Sequence, residues 1–157
     1  MSRAGLSLVL ALLAAAAGAH PAPNSLLKLE FRAAEVRAEY WVPVSELEFA
    51  RAADARGGGF ADYLLRHVAV ESPGGTPWRL GVAGVREDRY ADHAYLVADL
   101  SLLPPAGASP RNFVLLDDAV THEVRNHVIY VVALAGAGTD LVGLLQYPAR
   151  RLAVDRP

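Results

Sequence analysis

With 157 residues, no cysteine and 15 basic residues against 17 acidic ones, the chain has room for one ordinary domain. It excludes disulfides, thiolate metal sites and a cysteine nucleophile. Its scattered arginines form no basic stripe of the kind that tracks nucleic acid, and at this size a hydrophobic core can hold the fold unaided.

The chain begins MSRAGLSLVLALLAAAAGAH, where Arg3 precedes an apolar stretch that ends in the small residues Ala17-Gly18-Ala19. That order predicts a signal peptide over 1–19, with cleavage leaving His20 at the front of an exported, periplasmic or extracellular domain over 20–157. The apolar run is shorter than the roughly 20 residues a spanning helix needs, and no second such run follows.

HPAPNS, with two prolines and an asparagine, makes an extended lead-in. Leu27, Leu29 and Phe31 then alternate with Lys28, Glu30 and Arg32, and after Ala33-Ala34 the residues Val36, Ala38, Tyr40 and Val42 alternate with Arg37, Glu39 and Trp41. Period two predicts two half-buried strands joined as a hairpin. In VSELEFARAAD, Ser45 stands at an N-cap position with Glu48 three residues on, and Leu47, Ala50 and Ala53 have helical spacing. This predicts a short helix stopped near Gly57-Gly58-Gly59. FADYLLRHVAV places Phe60, Tyr63, Leu64 and His67 on one face of a second short helix. After the SPGGTP loop come the strand candidates WRLGVAGVREDRY and HAYLVADLSL, joined tightly at Ala91-Asp92, and FVLLDDAV beyond LPPAGASPRN. VIYVVALAG and LVGLLQYPA follow, with GAGTD between them. About seven strands with one or two short inserted helices predict a mainly β fold, an antiparallel β-sandwich.

The chemistry-bearing stretch is HEVRNH, with His122 and His127 five apart. If FVLLDDAVTHEV and HVIYVVAL were the arms of a hairpin with an even-length turn, both imidazoles would share one face, about 4.5–8 Å apart at Cβ. They could then ligate one transition metal ion such as nickel, copper or zinc. Two ligands are not a full set, so a further donor is needed: Glu123, Asp117 or Asp118 nearby, or His67, His93 with Asp92, or the mature N-terminus. A terminal His20 offers its amine and ring nitrogen to one cation, which with a second histidine is the donor set of a copper site. The competing expectation for His122 and His127 is structural, a hydrogen bond to a carbonyl or to Asp118.

Asp117 and Asp118, adjacent on a strand, would face opposite ways. The triple glycine lacks the lysine of a phosphate loop, and no G-x-S-x-G marks a nucleophilic serine. Tyr40, Trp41, Trp78 and Tyr95 are expected as core and rim packing.

The blocks AHPAPNSLLKLEF, EVRAEYWVPVSELEFA and FVLLDDAVTHEVRNHVIYVV, in this order and spacing, resemble the extracytoplasmic N-terminal domain of HupE/UreJ-family proteins. The resemblance covers most of the chain after residue 19, and His20, His122 and His127 fall on its motif positions. It implies an exported β-rich domain that works with the membrane helices of a nickel or related metal permease. Those helices are not in this sequence, so the expectation is narrower: a non-enzymatic accessory domain beside a membrane permease partner, with a metal at His20, His122 and His127. The alternatives are a structural protein-interaction module without metal, and a copper enzyme built on His20.

Overall fold

The computed structural model describes residues 23–52 and 59–157. The signal segment, His20 and Gly57-Gly58 lie outside them. In chain order the elements are β1 (Ser25–Phe31), β2 (Val36–Pro43), α1 (Val44–Phe49), α2 (Phe60–His67), β3 (Val68–Glu71), β4 (Arg79–Tyr90), β5 (His93–Leu103), β6 (Asn112–Asp117), β7 (Val128–Ala135), β8 (Gly138–Gln146) and β9 (Arg151–Asp155).

The strands form a sandwich of a six-stranded sheet, ordered β4-β5-β2-β1-β7-β8, and a three-stranded sheet, β3-β6-β9. Every named pair is antiparallel except β1 with β7, which run parallel. The alternation that predicts β1 and β2 buries one face of each: Leu27, Leu29, Val36, Ala38, Tyr40 and Val42 join Phe113, Leu115 and Val154 of the smaller sheet in one core. Phe60, Tyr63 and Leu64, at helical spacing, bring α2 onto it.

Two helical expectations shift. The first helix begins at Val44 behind Pro43 and has no side-chain cap, so Ser45 and Glu48 do not form a capping box. The second ends at His67, because Val68 turns extended and β3 pairs with β6. In the two-residue connection between β4 and β5, Ala91 sits at φ 52°. A Cβ is disfavoured there, and glycine is not. Ala91→Gly should therefore stabilise the fold by about 0.5–1 kcal/mol, read as a higher urea midpoint.

Candidate metal centre

The hairpin expected across residues 122–127 does not form. β6 pairs with β3 and β9, whereas β7 pairs with β1 and β8. The chain between them crosses from the smaller sheet to the larger one. It does so by coiling: the N–H groups of His122 and Val124 donate to the carbonyls of Asp118 and Val120, four residues back, at 3.0 and 2.9 Å. A coiled segment does not keep the period of two on which a shared face for His122 and His127 depended. Val120 lies at the centre of the coil with φ 64°, an unusual value for a β-branched residue. The Tyr63 hydroxyl accepts its N–H at 2.9 Å, so α2 helps to hold the bend.

The two histidines consequently have different neighbours. His122 meets His67, whose ring α2 delivers from its last position. The two rings stack with centroids 4.2 Å apart at 18°, and Tyr63 packs on His67 at 4.6 Å. Asp118 organises both. Its Oδ1 accepts from His67 Nδ1 at 2.8 Å, its backbone carbonyl accepts from His122 Nδ1 at 3.0 Å, and its Oδ2 accepts from Arg150 Nη1 at 2.8 Å. A carboxylate and a carbonyl are acceptors, so each ring donates from Nδ1, which leaves Nε2 as the ring atom open to a metal. Fixing the tautomer from behind in this way is how histidine ligands are oriented in metal sites.

His67, Asp118 and His122, all half-buried, each offer a donor atom, and these atoms lie within 4.8 Å of one another. Imidazole bonds to zinc measure about 2.0–2.1 Å. Rings stacked nearly parallel cannot both aim in-plane lone pairs at one ion, so binding requires one of the side chains to rotate.

His127 is 2% exposed and lies elsewhere. Its Nε2 is 2.8 Å from Ser25 Oγ, and its Nδ1 is 3.3 Å from Glu46 Oε2 without hydrogen-bond alignment. Burial holds the imidazole down to about 4, well below its ordinary value, and pushes the Glu46 carboxyl up. Serine, histidine and glutamate stand here in the order of a nucleophilic triad, but Ser25 is fully buried. No substrate reaches its hydroxyl in this conformation, and the contacts tie the starts of β1 and β7 to α1. Glu46 gave no signal in the sequence beyond its place on a short helix.

Asp117 and Asp118 point apart, although β6 ends at Asp117 and Asp118 already opens the coil. Asp117 turns into the core, where Oδ1 accepts from Ala119 N at 2.9 Å. Burial raises its carboxyl to about 7 despite that bond and the nearby Tyr40 phenol. Asp117 Oδ2 and the Tyr40 hydroxyl are both buried without a well-formed hydrogen bond.

Tyr40 and Trp78 are core residues, as expected, while Trp41 and Tyr95 meet edge to face at 5.7 Å on the outer surface of the larger sheet. Beside them burial alone would raise the Glu39 carboxyl. Hydrogen bonds from Lys28, Trp41 and Arg86 outweigh it and hold the group at about 2. His93 opens β5 and joins no metal-binding group among the described residues. The chain matches no protein-family model and no curated protein.

Proposed function

We propose that the chain is a non-enzymatic, exported accessory domain that binds a transition metal ion such as nickel, copper or zinc and works beside a membrane permease. The observation that carries the reading is the cluster of His67, Asp118 and His122, whose donor atoms lie within 4.8 Å of one another and whose two rings are both held through Nδ1 by Asp118. Imidazole nitrogen suits these three metals. The resemblance of FVLLDDAVTHEVRNHVIYVV to the extracytoplasmic domain of metal-permease proteins supports the same reading, since Asp118 and His122 lie inside that block. No helix among the described residues is long and apolar enough to cross a membrane, and the reading assigns passage across it to the partner.

Calorimetric titration with nickel, copper and zinc tests this. His67→Ala and His122→Ala should each weaken binding by about 10–100-fold and Asp118→Asn by about tenfold, with His93→Ala unchanged as a control. Equal affinity in all four variants, or no binding by the parent chain, removes the reading.

A protein-interaction module without metal is favoured by a different surface. Tyr130, Leu134, Leu141 and Leu144 are exposed on the adjacent strands β7 and β8, and β8 is a free edge of the larger sheet.

A further inference from the structure

We propose that the metal enters this site as an anionic carboxylate chelate rather than as a bare hydrated ion; the inference rests on reading His67 and His122 as ligands. Asp118 is the carboxylate that engages both rings, and it is already committed, with Oδ1 to His67 and Oδ2 to Arg150. Its negative charge is therefore balanced by the guanidinium beside it. Asp117 turns away into the core, and Glu123 lines a separate depression with Glu46 and Phe49.

Two neutral imidazoles give a divalent cation no countercharge and fill two of its four to six positions. A nearby arginine opposes the cation still further. A ligand carrying several carboxylates corrects both deficits, by neutralising the ion and by completing its shell.

Arg150 is placed to recognise such a ligand. Its side chain is 48% exposed, and one of its N–H donors is bound by Asp118 Oδ2, in a group that has five. A depression of about 270 Å³, with His67, Asp118 and Arg150 in its wall, opens beside it. A planar guanidinium with free donors is the side chain best matched to a second carboxylate. The ligand class is a small di- or tricarboxylate complex of the metal.

The test compares nickel chloride with an equimolar nickel–citrate complex on the full chain, by native mass spectrometry and calorimetry. The expected result is a complex holding one nickel and one citrate, bound about tenfold more tightly than nickel offered as chloride. Arg150→Gln should lose citrate and the tenfold advantage while still taking up nickel; Arg150→Lys should keep part of both. Nickel taken up without citrate, or citrate retained equally by Arg150→Gln, overturns the inference. If that nickel uptake is still abolished by His122→Ala, the metal-binding reading stands without the chelate. If nickel binds in neither form, both readings fall together.

Discussion

His127→Ala should lower the unfolding free energy by about 3–5 kcal/mol, a large part of the roughly 5–15 kcal/mol that holds a domain of this kind together. The substitution leaves the Ser25 hydroxyl and the Glu46 carboxyl buried without their shared neighbour and opens a cavity where the ring was. Urea unfolding at pH 7, followed by the fluorescence of Trp41 and Trp78, measures the loss. A loss below about 1 kcal/mol would mean that the contacts do not support the fold. Removing all three polar groups at once, with Ser25→Ala, Glu46→Leu and His127→Leu, should recover most of the stability, because well-packed apolar groups carry no desolvation penalty.

Asp117→Asn should turn a nearly flat dependence of stability on pH into a steep one. Two buried groups act in opposite directions over the same interval. His127 titrates near 4 in the folded protein and at an ordinary 6.5 when unfolded. As pH falls from 6.5 towards 4, the unfolded chain takes up a proton that the folded one refuses, and stability drops. Asp117 titrates near 7 when folded and near 3.8 when unfolded. As pH rises through that range the unfolded chain releases a proton that the folded one keeps, so stability drops in the other direction. Each contribution reaches about 3–4 kcal/mol at the exchange rate of 1.36 kcal/mol per pKa unit. In the parent chain the two largely cancel. In Asp117→Asn the histidine is opposed only by Glu46, whose carboxyl burial raises above its ordinary 4.5, and the unfolding free energy should rise by up to about 3 kcal/mol between pH 4 and 6.5. Glu39 does not mask this, since its lowered pKa removes stability mainly between its ordinary 4.5 and about 2. A variant as flat as the parent would show that His127 is not held neutral by its surroundings.

The strands with the clearest alternation were legible in the sequence because the periodicity records which face is buried, as in β1 and β2. Val68-Ala69-Val70 was not, because its apolar residues also continue the helical spacing from Leu64; only pairing with β6 makes it a strand. β9 has five residues with charges at both ends and gives little local pattern. At the candidate centre, His122 and Asp118 could be found from their own segment. His67, 51 residues before Asp118, was visible only as the end of a helical face and as one of several distant donors, with nothing local to single it out. The turn that brings them together is set by a left-handed Val120 and a tyrosine hydroxyl from another element, which no short window of residues encodes.

The parallel alliance of β1 with β7 governs when the molecule can assemble. Ser25 and His127 meet across 102 positions of chain, and β1 is the fourth strand of six, with β2 on one side and β7 on the other. A growing chain can zip β1 to β2 early, since they are neighbours in sequence, but the opposite flank of β1 then waits for more than half the protein to be made. Contacts this distant demand a large loss of loop entropy before they return any stabilisation, which places the fold among the slower topologies and leaves a bare hydrogen-bonding edge open to stray strands in the meantime.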